Sequence, residues 1–412
     1  MKFAVPILAL AAFARGQDSM KMTDMNGAGM SLINLASGTS VNPASWEMPM
    51  WMTSLGSWNL MLMGLAFVVD TQQSGPRGGD KLYSPNWFMA SAEHRAGAKG
   101  AFQADMMLSL DPTTITGERY PLLFQTGETA YGRALTDAQH PHNFVMALGV
   151  HYAYEFSEDA TFDVYAAPVG DPALGPVAYP HRASAEDLPQ ATITHHLMDS
   201  THISDDVVTV GITYKKVRLE ASGFHGAEPG ENRWIIQAGP LDSWSARFWY
   251  FPTMNWAAQV SVGRIGHPEA LEPGDRVRST ASAQYSRPMN GSSWSSSLMW
   301  GRNHDTANHR NTNGYLAELV LPVSRRNFLT GRIELADKDE LFPGEPSLDQ
   351  RVFRIGAYTL GYTRDLALFS HIETSVGANV SLYTLPDAIK PYYGNHPAGG
   401  NIYLRFGIRR NQ

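Results

Sequence analysis

Between Trp58 and Arg409 apolar and polar residues alternate in about sixteen short runs, and the connections between runs are by turns short and long. A sheet that closes on itself in lipid demands this rhythm: tight turns at one rim, looser loops at the other, an even strand count and no unpaired edge. The last run shows the period of two. Ile402, Leu404, Phe406 and Ile408 fall on one face, and Asn401, Tyr403, Arg405 and Arg409 on the other. The strands are predicted at 58–70, 86–96, 100–110, 144–156, 160–168, 202–215, 217–225, 242–251, 255–265, 276–287, 293–303, 313–323, 327–337, 351–364, 367–383 and 400–410.

Short connections such as Gly97-Ala98-Lys99 and Ser324-Arg325-Arg326 follow every even-numbered strand. Long ones follow the odd-numbered strands, the largest being 111–143, 169–201 and 226–241. The expected fold class is therefore all-β, an antiparallel up-and-down transmembrane β-barrel with short periplasmic turns and long extracellular loops. No apolar run long enough for a membrane helix follows the N-terminus, although 43% of residues are hydrophobic and 17% charged. The net charge of −7 is spread along the chain, with no basic stripe of the kind nucleic-acid binding needs.

Lys2, the apolar stretch from Phe3 to Phe13 and then Ala12-Phe13-Ala14 form an export signal, with cleavage expected after Ala14. Residues 15–57, rich in Met, Ser, Asn and Gly without clear period, form the expected periplasmic extension, partly tucked into the mouth of the barrel, and 58–412 the barrel itself. The chain has no Cys, so an exported protein of this kind is held by its closed hydrogen-bonded ladder and not by disulfides.

Each strand should show one lipid-compatible face. Met146, Leu148, Val150, Tyr152, Tyr154 and Phe156 alternate with Ala147, Gly149, His151 and Glu155, and Leu329, Ile333 and Leu335 with Thr330, Arg332 and Glu334. The run from Met61 to Phe67 is apolar on both faces and fits a fully buried strand equally well. Aromatic residues near strand ends, among them Trp58, Trp87, Tyr154, Trp256, Tyr383 and Tyr403, suit the girdles of a bilayer interface. A barrel of this size encloses a water-filled lumen. Its predicted lining is Glu93, Asp105, Glu155, Asp163, Glu220, Glu318, Glu334 and Glu373, with Arg95, Arg218, Arg247, Arg278, Arg332, Arg405, Arg409 and His151. Such rows either set a transverse field across a pore or pair as structural ions. The loop at 111–143, with Arg133, Asp137, His140 and His142, is the candidate for folding inward as a constriction.

Gly132 to Phe144, together with Ala173-Leu-Gly-Pro-Val-Ala, Asp199-Ser-Thr-His-Ile, Asp242-Ser-Trp-Ser-Ala-Arg and Pro268-Glu-Ala-Leu-Glu-Pro, resembles a group of functionally uncharacterised bacterial outer-membrane barrels. These porin-like barrels are often encoded near heavy-metal or copper efflux systems. The resemblance covers most of the exported chain and implies a cell outer-membrane location, insertion by the barrel assembly machinery and a homotrimer of the kind porins form. The chain departs from the general outer-membrane pattern in ending Phe406-Gly-Ile-Arg-Arg-Asn-Gln412, with no terminal aromatic residue.

Three functions compete. The first is a channel for passive passage of small hydrophilic solutes or ions. The second is metal binding: His140-x-His142 and His195-His196 are imidazole pairs suited to Cu(II) or Zn, while Met20, Met22, Met48, Met50 and Met52 carry thioethers suited to Cu(I), although none matches a closed four-ligand spacing. The third is a hydrolase built on Ser200 and His202, for which no supporting motif is present. The expectation is the channel, with no enzymatic activity, and metal binding as its alternative.

Overall fold

A computed structural model describes residues 25–409. The export signal, Met20 and Met22 lie outside the described residues. Sixteen long strands close into one antiparallel barrel: β1 (Trp58–Gln73), β2 (Asn86–Ala96), β3 (Gly100–Leu108), β4 (Val145–Ser157), β5 (Ala160–Gly170), β6 (Ser204–Tyr214), β7 (Val217–His225) and β8 (Ser243–Tyr250), followed by β9 (Trp256–Ile265), β10 (Arg276–Met289), β11 (Ser292–Asp305), β12 (Asn311–Ser324), β13 (Asn327–Lys338), β14 (Phe353–Asp365), β15 (Ile372–Thr384) and β16 (Ala398–Ile408). Each pairs with its sequence neighbour, and β1 meets β16 from Leu65↔Gly407 to Gln73↔Gly399, which closes the ring. Two short strands, Trp51–Leu55 and Asp80–Tyr83, pair along the two edges of β1.

The predicted alternation of turns and loops is the observed one. Between β10 and β11 the strands run on to Met289↔Ser292, and Asn290-Gly291 forms the turn with both φ angles positive, 53° and 77°. That two-residue turn matches the twist of the flanking strands, which is why Asn-Gly suits it. Several strands start later than expected, β15 by five residues and β6 and β14 by two. The segment 366–371 is irregular, and Ser200–His202 is a single 3-10 turn ahead of β6.

Outward residues form the apolar band that lipid requires. Leu148, Val150, Tyr152, Tyr154 and Phe156 are exposed on β4, and Leu329, Ile333 and Leu335 on β13, while Thr330, Arg332 and Glu334 are buried. Met146 departs from the expected lipid face. The register slips between Met107↔Ala147 and Leu108↔Val145, and this bulge turns both Met146 and Ala147 inward. Trp87, Tyr383 and Tyr403, expected in interfacial girdles, also pack inside the barrel.

The main departure is the lumen. In place of the expected water-filled passage it holds the 171–203 loop, much of the 109–144 loop and the leading segment, whose helix α1 (Gly27–Ile33) packs against β2, β3 and β4. Apolar residues from these loops (Leu122, Phe124, Ile193, Leu197) make one core with inward residues of the wall (Phe67, Val69, Ile355, Tyr403). The two apolar faces of β1 follow from this, since Met61, Met63, Phe67 and Val69 face a packed interior and not water.

Leu298 sits near the middle of β11, 65% exposed on the outward face. Replacing Leu298 with Arg is expected to cost about 2–4 kcal/mol in denaturant unfolding from lipid vesicles. A loss as small as that of Leu298→Ala would contradict a lipid-facing position.

Candidate functional site in the lumen

Polar residues of the inner wall reach partners on the inward-folded loop 171–203 around most of the circumference. Ser222 on β7 accepts from the Ala173 amide at 2.8 Å, and Ser261 on β9 from the Gly175 amide at 2.9 Å. Arg247 on β8 donates to the Gly175 carbonyl at 3.1 Å, Arg278 on β10 to the His196 carbonyl at 2.7 Å, and Arg332 on β13 to the Gln190 carbonyl at 3.1 Å. Glu334 accepts from both the amide and the hydroxyl of Thr194 at 3.0 Å. Arg405 on β16 donates to the Glu186 carbonyl at 3.1 Å and pairs with Asp187 at 3.3 Å. Gly301 on β11 leaves room for the loop, because a Cβ there would sit 2.2 Å from the Leu197 carbonyl oxygen.

At the centre is Arg182, fully buried, whose guanidinium bonds to Glu318 of β12, to Asp199 at 3.1 Å and to the Val177 carbonyl at 2.9 Å. Glu318 also takes Arg332 at 2.9 Å and the Ser184 hydroxyl at 2.9 Å. Burial alone would raise the Asp199 carboxyl, but His195 and Arg182 outweigh it and hold it below the usual carboxylate range.

The acids and bases predicted to line a passage are therefore mostly spent on each other and on the loops. Arg218 bridges Asp163 and Glu220, Glu220 also takes Arg247 at 2.8 Å, Asp105 meets His151 at 2.9 Å, and Glu373 meets Arg405 at 2.9 Å. Glu93 is buried and accepts from Asn59, whereas Glu155 is half-buried beside Gly27. Arg95 is exposed at the rim, and Arg409 pairs with Asp365 at 3.3 Å. In the 109–144 loop, Asp137 is buried against Arg77 at 2.6 Å and accepts from the Phe124 amide at 2.7 Å, while Arg133 is exposed at a hairpin tip.

His181, His195 and His196, expected in an external loop, are buried in the lumen with His202, as are His140 and His142 of the loop expected to fold inward. The adjacent sequence pairs are divided among different carboxylates: His140 faces Glu128 at 2.9 Å and His142 Asp111 at 2.9 Å, while His195 faces Asp199 at 2.8 Å and His196 Glu228 at 3.4 Å. New ring contacts cross between loops, His142 with His202 at 5.6 Å and His140 with His196 at 5.9 Å. Among the described residues, the group of three or more histidine or carboxylate donors that converges within 4.8 Å is Glu269, Glu272 and Glu340, which includes none of the predicted pairs. Ser200 accepts from Arg278 at 3.0 Å, and His202 Nδ1 lies 2.9 Å from the Asp199 carbonyl, while His202 Nε2 has no protein partner among the described residues.

Arg182, Asp111, Glu128 and His181 had no motif to mark them. The signal that could have found Arg182 and His181 is compositional: 171–203 holds five Ala, four Pro and three Leu, unlike a solvated external loop, whereas nothing comparable marks Asp111 or Glu128.

No protein-family model matches the chain, and a comparison with curated proteins gives no match. Among solved structures it is similar to an anion-selective porin from Comamonas acidovorans, with a TM-score of 0.53 and 12% identity over 85% of this chain and 99% of that one. It is similar also to OmpF of Salmonella typhi, solved in complex with daunomycin, with a TM-score of 0.53 and 9% identity over 86% and 99%. At these identities the likeness carries the fold. The chain has the fold of outer-membrane porins, and its outward apolar band fits that placement in a bilayer.

Arg182→Ala would leave Glu318 and Asp199 buried with fewer cationic partners. It is expected to lower stability by about 3–5 kcal/mol, read as a shifted denaturant midpoint of the refolded barrel. Acid should loosen the same loop. Burial pushes the His181 imidazole down to about 3, with His142 adding to the fall, and lowers His140, His195, His196 and His202 as well. The unfolded chain takes up these protons near pH 6.5 and the folded chain does not, so stability is full above about 6.5 and falls as pH drops toward the folded values. Protease accessibility of 171–203 should rise between pH 7.5 and 4, and a flat profile would contradict this account.

Proposed function

We propose that this protein is an outer-membrane channel of small conductance for hydrophilic solutes and ions, in which the 109–144 and 171–203 loops and the leading segment form the constriction. The observation that carries the reading is the polar seam between wall and loops. Buried side-chain atoms without a protein partner among the described residues include Glu228 Oε2 in an outer loop, Ser245 and Ser282 in mid-wall and Thr330 close to the short turn 325–326. Buried polar atoms of this kind are normally hydrogen-bonded, and water is the partner that fits a seam too narrow for side chains. In this reading waters at these positions join into a path from one rim to the other, which would admit water and small ions and reject bulky or apolar solutes. The porin fold supports the same reading by analogy of architecture.

Conductance in planar bilayers tests it. The refolded protein should give small steps that scale with salt, and Arg182→Ala, by releasing 171–203 from β12, should enlarge them or lengthen their open times. Silence from both proteins, with each shown by heat-modifiable gel mobility to be a folded barrel, would overturn the channel.

A further inference from the structure

Methionines gather on one sector of the inner wall. Met63 of β1 lies directly opposite Met89 of β2, and Met89 opposite Met107 of β3, so the three form a row across adjacent strands. The bulge in β4 turns Met146 into the same group, and Met48 and Met50 of the leading segment pack over it. A second group, Met25, Met61, Met30, Met50 and Met52, adjoins it through Met50.

Between the leading segment and this wall lies a cavity of about 40 Å³. Met48, Met63 and Met89 line it, together with Trp46, Trp87 and His181. The His181 ring stands edge-on to Trp87 at 4.5 Å, and its Nε2 is buried with no protein partner. An unpaired imidazole nitrogen among thioethers and indoles costs free energy that a well-packed apolar residue would not, so packing alone does not account for it. The arrangement does fit a ligand set, because thioether sulfur is a soft donor and neutral imidazole a good one for late transition metals.

We propose that this cavity binds a soft monovalent metal ion, Cu(I) or Ag(I), through the sulfurs of Met48, Met63 and Met89 and Nε2 of His181. The two guanidiniums at the cavity, Arg182 and Arg405, are each matched by carboxylates, Glu318 and Asp199 for the first, Asp187 and Glu373 for the second, and the lining adds one further carboxyl, Glu186, whose negative charge a single positive ion would offset. A hard divalent ion would want several oxygen donors, which three thioethers and an imidazole do not supply. The site unites residues from the leading segment, two wall strands and the 171–203 loop, so an ion there would tie the plug to the barrel.

The test is titration of the refolded full chain with Ag(I), read by ion stoichiometry and by quenching of the Trp46 and Trp87 fluorescence. Wild type should bind with quenching. The Met48→Leu/Met63→Leu/Met89→Leu variant, which conserves volume, should lose the quenching and bind more weakly by over the roughly 10–100-fold that changes in outer partners cost. His181→Gln, carrying the test by itself if the triple variant misfolds, should weaken binding in the same sense. Met20→Leu/Met22→Leu should leave the quenching intact. Equal Ag(I) affinity in wild type and both cavity variants, loss of quenching with Met20 and Met22 instead, or no binding to wild type would each overturn the site and leave the methionines as packing.

Discussion

The buried guanidinium of Arg182 is the point on which the interior depends. It joins Glu318 on the wall to Asp199 of the 171–203 loop, and Glu318 joins Arg332 and Ser184 to the same knot. Charges this deeply buried are tolerable only when paired, and even here Arg182 Nη2 and Arg332 Nη2 find no protein partner among the described residues, which makes the knot a poor source of net stability and a candidate source of specificity. The hypothesis for this protein is that Arg182 selects one position for the loop out of the many a polar wall could hold.

That selection has consequences for function. A wall of Arg, Glu, Gln and Ser facing a closed barrel can be satisfied by water or by chain. Here the chain supplies most partners, and a minority of buried side-chain atoms is left without a protein partner among the described residues. The barrel thus combines a porin architecture with an interior packed like a domain core, and any passage of solutes is governed by how firmly the loops are held.

Strand positions were legible because lipid on one side and a polar wall on the other enforce a period of two, and because turns with their own chemistry, such as Asn290-Gly291, fix the hairpins. Where legibility failed, a nonlocal contact was the reason. Met146 changes face because of a bulge that depends on its pairing with β3. Tyr403 keeps the expected inward phase of β16, yet its hydroxyl donates to the Asp187 carbonyl of a loop more than two hundred residues away. The histidine pairs were visible as residues, but their spacing in sequence said nothing about the ring contacts that form across loops.

By itself the sequence determined the barrel: strand number, order, the alternation of short and long connections, and which face of most strands meets lipid. All of these are local consequences of placing a backbone in a medium that cannot hydrogen-bond it. The inward fold of 111–143 was already legible as a candidate, but tertiary structure alone decided that the lumen is filled, that 171–203 with its histidines also lies inside, and that methionines from the leading segment meet those of the wall. Those outcomes depend on partners far apart in the chain, and a loop that is to be buried differs from one left in water mainly in what it finds to pair with.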